Sequence, residues 1–375
     1  MAPQSSERVI RELFSVADIE VGGDRPWDIQ IHDSRFYDRV LREKELGLGE
    51  SYMDGWWDCD AIDQMIARIF LADLPSKISG NLKLALHALR AKLFNLQSKR
   101  RAFEVGEHHY DLGNDLYEAM LDSRMNYTCA YWRDAEDLDA AQEAKLDLVC
   151  RKIGLEPGMR VLELGCGWGS FAKYAAETYG AEVVGVTVSK EQVKLGNERC
   201  EGLPVEIKLQ DYRDVSGTYD AVISIGIMEH VGYKNYRTYM EVADRCLKDD
   251  GIAFVHTIGS NTSTIYANAW TTRYIFPNGM LPSIAQLAKA MEGIFIMEDW
   301  HNIGPHYDKT LMAWHRNFEA AWPELRKQSK YDERFYRMWR YYLLSSAGGF
   351  RARSTQLWQI VMTKPGTPQP DCRKL

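Results

Sequence analysis

The sequence predicts an α/β protein, a parallel sheet with helices on its faces, preceded by a smaller and mostly helical domain. Three observations carry this. From Met159 onward short apolar runs alternate with helix-like segments, the signature of strands joined by crossover helices. The first of those runs ends in a glycine-rich turn. The first hundred residues show no such alternation and read as helix.

The bulk numbers fit that expectation. With 375 residues, 45% hydrophobic and 11% aromatic, the chain buries a large core, and its length suggests two domains. The opening MAPQSSERVIRELF holds charges where a signal peptide needs an apolar core. No apolar run approaches the roughly 18 residues that cross a bilayer, so a cytoplasmic protein is expected. A net charge of −7 argues against a nucleic-acid partner. The seven cysteines are widely spaced, with no C-x-x-C pair, which implies reduced thiols and no structural metal. His108 and His109 are adjacent and read as loop or cap residues.

Taken in order, the N-terminal part reads as helix with turns at VGGDRPWD and GLGESYMDGWWDCD and a helical run from Ala61 to Phe70. Between Leu74 and Phe103 stand seven basic residues and no acidic one, and Leu82, Leu86, Leu89, Leu93 and Leu96 recur at helical spacing. Such a basic amphipathic helix lies on an anionic membrane surface or packs its leucines on the next domain; the pattern leaves both open. Membrane contact is expected from 82–101, with Trp56 and Trp57. The expected division is a helical domain over 1–103 and a catalytic domain over 104–375.

In the second domain LDAAQEAKLDLVCRKIG is a helix, and MRVLELG, EVVGVTV, VEIKLQ, YDAVISI and IAFVHTI are strands, with IFIMEDW and LWQIVMT as later ones. The stretch between His256 and Ile294, containing IYANAWTTRYIFPNGMLPS, lacks alternation and reads as a lid inserted over the open end of the sheet.

The glycine turn decides the cofactor class. MRVLELG runs into Glu163-Leu-Gly165-Cys-Gly167-Trp-Gly169 and then a helix, letting backbone approach a nucleotide-like ligand at the carboxyl end of the sheet. A dinucleotide site wants G-x-G-x-x-G and an acid about 20 residues on. Here the third glycine comes one residue early, an acid precedes the first, and the next strand reaches Thr187 instead of Asp or Glu. That combination fits S-adenosylmethionine. In YTCAYW, Cys129 sits among large aromatics without a partner cysteine nearby; the residues alone allow a buried core thiol or a site residue.

The runs HYDLGNDLYEAML, YTCAYW, VLELGCGWGS, GVTVSKEQ, LQDYRD, MEHVG, HTIGS, YIFPNG, MEDWHN, YDKTLMAW and FRARSTQLWQ together resemble the cyclopropane-fatty-acyl-phospholipid synthases, relatives of the mycolic acid cyclopropane synthases. The similarity runs from about Arg101 to Val361, and the extra N-terminal residues look like the small helical domain of the phospholipid-acting members. The resemblance implies an S-adenosylmethionine-dependent methyltransferase sheet and methyl transfer to a cis double bond of a membrane phospholipid. Loss of a proton from the resulting carbocation then closes the ring. It implies a bicarbonate ion as base, held by Cys129, Glu229, His256, the backbone of Ile258, and Tyr307. Implied cofactor contacts are Tyr127, Thr128, Glu163, Gly165, Gly167, Gly169, Thr187, Gln192, Asp211 and Tyr212. Mycolate members tend to carry tryptophan and glutamate where this chain has Tyr212 and Arg213, which leaves Arg213 outside that set. A homodimer at the inner face of the membrane is implied as well.

The chemistry explains the residue types. An alkene is a weak nucleophile, so the methyl must be held in line, and the cation needs a dry site. Tyr127, Tyr131, Trp132, Trp270, Tyr274, Phe276 and Tyr307 are expected to line a lipid channel. Competing readings are a lipid methyltransferase leaving a methyl-branched or methylene chain, a membrane-binding module without catalysis, and a methyltransferase of soluble small molecules.

Overall fold

The structure is a computed structural model in which residues 3–77, 113–265 and 268–374 are described. The basic segment 82–101, His108, His109 and the expected boundary at 103 lie outside them. The chain divides into two compact units, and the division is not a single cut along the sequence. One unit joins the described residues of Met1–Arg90, Tyr266–Pro277 and Tyr307–Thr355; the other joins those of Ala91–Ile265, Asn278–His306 and Gln356–Leu375.

The N-terminal unit is helical apart from a two-stranded ribbon, β1 (Gln30–Ile31) and β2 (Trp57–Asp58). The stretch expected as a turn around GLGESYM is the helix Glu45–Met53. Packing explains this: Trp270 lies so close to Gly49 that any Cβ there would meet the indole at 2.4 Å. Tertiary contact thus overrides the low helix propensity of glycine. Trp57 is fully buried, and its indole N–H donates to the Leu48 carbonyl at 3.0 Å. Trp56 stacks beneath the Arg35 and Arg39 guanidiniums. The expectation that Trp57 touches a membrane is therefore corrected, because its ring is core.

The other unit is built on a seven-stranded sheet whose strands coincide with the seven expected apolar runs. They are β3 (Arg160–Leu164), β4 (Glu182–Thr187), β5 (Val205–Leu209), β6 (Tyr219–Ile225), β7 (Leu247–Ser260), β8 (Ile296–Asn302) and β9 (Thr355–Thr363). Their order is β5-β4-β3-β6-β7-β9-β8. The first five pair in parallel, while β8 and β9 pair antiparallel, so the sheet is mixed.

Period-two alternation divides the core between the two faces. Leu162, Leu164, Val222, Ala253, Val255, Ile360 and Met362 join one cluster with residues of the helices Tyr236–Cys246 and Ile284–Met291. Val161, Ala221, Ile223, Phe254 and Val361 join the other with the helices Leu138–Lys152 and Ser170–Tyr179. Both faces being covered, the strands read as continuous apolar runs.

The expected lid is divided. Tyr266–Pro277 belongs to the N-terminal unit, where Trp270 packs on Tyr341 and Phe276 on Tyr342. Further on, Ser283 and Gln286 form a capping box that starts a helix whose Leu287, Ala290 and Met291 are core. No run of alternating residues marks this segment, because its partners come from distant parts of the chain.

Candidate active site

The glycine turn between β3 and the helix Ser170–Tyr179 takes left-handed backbone at Gly165, Gly167 and Gly169 (φ 77, 55 and 77°). A Cβ at Gly167 would meet nothing within 4 Å among the described residues, so the middle of the turn presents open backbone, while Gly165 and Gly169 pack against Ile227 and Ile207. Beside it Glu163 is buried, with its Oε2 lacking a hydrogen-bond partner among the described residues. Burial pushes its carboxyl up to about 8, against the opposing pull of Lys145. Tyr117 sits edge-on to Tyr127 and tilted against Trp168, both at 5.1 Å between centroids.

Farther along the sheet edge, Thr187 donates to Gln192 Oε1 at 2.6 Å, and Ser189 caps the helix that carries Gln192. Tyr212 is buried with its hydroxyl unpartnered among the described residues. The Asp211 carboxylate is already bonded by the Arg213 guanidinium at 2.7 and 2.6 Å. Arg213, absent from the expected set, is thus the residue that fixes Asp211.

Just after β6 and along the last residues of β7 a second set of groups is placed by backbone contacts. Gly226 (φ 83°) directly follows β6, and its N–H donates to the His256 carbonyl at 2.8 Å. A Cβ at Gly226 would lie 2.9 Å from the Thr128 methyl, so the YTCAYW segment comes down on that glycine. Glu229 lies in the short helix Met228–Val231. Its Oε1 accepts the Ile258 N–H at 2.6 Å, and its Oε2 is buried and unpartnered among the described residues. Burial pushes this carboxyl up to about 7, with the Ile258 N–H opposing.

His256 is buried in β7 with Nδ1 3.4 Å from Gln359 Nε2 and Nε2 unpartnered among the described residues. Burial, with the Lys145 and Lys152 charges, drives its pKa well below the usual value, so the ring is neutral. Cys129 is fully buried and its thiol donates to the Ala130 carbonyl at 3.2 Å.

The helix Leu138–Lys152, capped by Asp137, holds the YTCAYW segment. Ala141 accepts the Tyr131 N–H, Gln142 Nε2 donates to the Thr128 carbonyl at 2.8 Å, and Lys145 Nζ donates to Asn126 Oδ1 and Thr128 Oγ1, both at 3.0 Å. Tyr131 stacks on His306 at 4.9 Å, and His306 Nδ1 accepts the Trp132 N–H. Lys145 is wholly buried, and desolvation lowers its ammonium to about 8 although Asp122, Cys129 and Glu163 pull it up. It couples electrostatically to residues of both expected sets, and sequence reasoning missed it. The available signal was its place on the helix: Ala141, Lys145 and Val149 lie four apart, which puts a lysine on the buried stripe.

The structure therefore gathers Thr128, Cys129, Glu229, His256 and Ile258 in one region of the sheet unit. Tyr307 lies in the N-terminal unit, where its ring packs on Phe350 and Trp314. The seven channel aromatics divide likewise: Tyr127, Tyr131 and Trp132 are in the sheet unit, the other four in the N-terminal unit. All seven cysteines are free, and no cluster of metal-ligating side chains occurs among the described residues. No described helix is long and apolar enough to cross a membrane.

Known proteins match this arrangement. A profile of the mycolic acid cyclopropane synthetase family matches residues 97–360. The cyclopropane-fatty-acyl-phospholipid synthase of Escherichia coli K12 is 53% identical over 95% of this chain and 93% of its own. A tuberculostearic acid methyltransferase of Mycobacterium tuberculosis is 33% identical, over 88% and 81%. Among solved structures, the mycolic acid cyclopropane synthase CmaA1 in complex with SAH and CTAB superimposes with a TM-score of 0.65 and 31% identity, covering 70% of this chain and 98% of its own.

Proposed function

The chain belongs to the mycolic acid cyclopropane synthetase family of S-adenosylmethionine-dependent methyltransferases, and we propose that it converts a cis double bond of a phospholipid acyl chain into a cyclopropane ring. The observation that supports this most is the pair of buried polar atoms without partners among the described residues, Glu229 Oε2 and His256 Nε2, in the region where Thr128 packs against Gly226. Buried polar atoms left without partners cost free energy, and a small ligand that bonds both removes that cost.

The residues fit the two absent groups. The open backbone at Gly167, the Glu163 oxygen without a partner among the described residues and the buried Tyr212 hydroxyl suit S-adenosylmethionine; when bound it supplies an electrophilic methyl. The donor and acceptor at His256 and Glu229 suit bicarbonate, an anion that carries one proton; when bound it supplies the base.

In this reading Glu163 and the glycine turn orient the methionine end of the cofactor. Lys145 fixes the Thr128 hydroxyl and brings positive charge toward the anion. Glu229, held by the Ile258 N–H, accepts the hydroxyl of bicarbonate and leaves its basic oxygen free. His256 donates through Nε2, and Cys129 anchors through its thiol. The reaction needs a dry site, because water would capture the carbocation.

The proposal includes action at the inner face of the membrane and a homodimeric protein. A methyl-branched or methylene product is the second reading, favoured by the likeness to the tuberculostearic acid methyltransferase. The test is turnover with labelled S-adenosylmethionine and vesicles of cis-monounsaturated phospholipid, in buffer stripped of carbonate and then titrated with bicarbonate. Label in the lipid with saturable dependence on bicarbonate is expected. Label that appears at full rate without bicarbonate contradicts the assignment of the base.

A further inference from the structure

Gln359 belongs to none of the groups assigned above, yet it is a fully buried amide on β9, next to β7 in the sheet. Its Nε2 lies 3.4 Å from His256 Nδ1, and its Oε1 has no partner among the described residues. The opposite ring nitrogen, His256 Nε2, is equally buried and also lacks a partner among them.

A neutral imidazole carries one proton on one of its two nitrogens, and the hydrogen bond made by one nitrogen decides the role of the other. An amide N–H can only donate. With the amide N–H turned toward it, Nδ1 is the acceptor, which assigns the proton to Nε2. We propose that Gln359 is the positioning residue that holds His256 in its Nε2-protonated tautomer and thereby turns it into a hydrogen-bond donor toward an anion.

The inference deepens the reading of the Glu229 and His256 site and rests on it for its functional meaning. In the other tautomer Nε2 would be an acceptor, and two acceptors, His256 Nε2 and Glu229, would face an anion that has a single proton. Burial and the Lys145 and Lys152 charges keep the ring from taking a second proton, so protonation cannot supply the missing donor. Choice of tautomer then decides whether Nε2 donates, and among the described residues Gln359 is the side chain bonded to the nitrogen that sets it.

The test is a long-range proton–nitrogen NMR correlation of the full-length protein labelled with nitrogen-15 histidine, in which the His256 ring is identified by its loss in His256→Asn. The expected pattern is a protonated Nε2 and a bare Nδ1. In Gln359→Glu the carboxylate can only accept, so the proton should move to Nδ1 and kcat should fall on the order of 10²–10³-fold, as for loss of one anion-binding donor, with the KM for S-adenosylmethionine unchanged. A wild-type ring protonated at Nδ1, or a tautomer unchanged in Gln359→Glu, overturns the inference. The wild-type spectrum needs no variant at position 359. An Nε2-protonated ring in an enzyme indifferent to bicarbonate would leave the inference standing and remove the anion reading alone.

Discussion

The Glu229 carboxylate accepts the main-chain N–H of Ile258 at 2.6 Å and keeps its other oxygen buried and unpartnered among the described residues. This single contact ties the helix after β6 to the end of β7. It also fixes the direction in which the free oxygen points. A buried carboxyl pushed up to about 7 lies near neutral pH, where proton exchange with a ligand is easiest.

Glu229 should therefore trade stability for function. Its folded pKa is raised from 4.5 to about 7, so the native state binds more protons than the unfolded chain between those values. Stability then falls as pH rises through that window. Glu229→Gln escapes this loss: the variant should be more stable than wild type above pH 7, by on the order of 3 kcal/mol, with the gap closing below pH 4.5. Its kcat should fall on the order of 10²–10⁴-fold. Urea titrations at both pH values and a labelled-methyl assay check both halves.

Lys145→Met should uncouple the cofactor turn from the YTCAYW segment. Removing the ammonium leaves Asn126 Oδ1 and Thr128 Oγ1 without their shared donor, a cost of about 1–3 kcal/mol. Affinity for S-adenosylhomocysteine, measured by calorimetry, should weaken by about one order of magnitude. Unchanged affinity with full turnover would show that Lys145 is only structural.

Gly226→Ala should damage both fold and turnover. The residue has φ 83°, and a Cβ would press on Thr128 at 2.9 Å. The left-handed conformation alone costs about 1–2 kcal/mol for an L side chain. A lowered thermal midpoint and a reduced kcat are expected, and a wild-type melting curve would contradict the packing described.

Trp57→Ala should act on stability and not on lipid binding. The ring is fully buried against Phe36, Tyr52 and Tyr341, so truncation should cost about 3–5 kcal/mol. Vesicle sedimentation of the still-folded variant should match wild type; lost sedimentation without lost stability would restore a membrane role to this residue.

The sheet was legible in the sequence because strands covered on both faces read as plain apolar runs. Val161 and Leu162 lie on opposite sides of β3 and both are core. The glycine turn was legible from spacing. The division of the chain into units was not, since Tyr266–Pro277 and Tyr307–Thr355 join the N-terminal helices through contacts between residues far apart in sequence, as when Tyr274 bonds Glu50 at 2.8 Å. The proposed site residues rest on the family's motifs and not on spacing. Nothing in the order of residues shows that Thr128 packs against Gly226, or that Gln359 faces His256.

The most direct measurement uses S-adenosylmethionine whose transferable methyl carries three deuterons, with vesicles of cis-monounsaturated phospholipid, followed by mass spectrometry and proton NMR of the released chains. Ring closure transfers the methyl and loses one of its hydrogens to the base, so the expected product keeps two deuterons and has no olefinic protons. A saturated chain retaining all three deuterons, or labelled chains that keep their olefinic signal, would contradict cyclopropane formation and leave this protein as a methyltransferase with a different product.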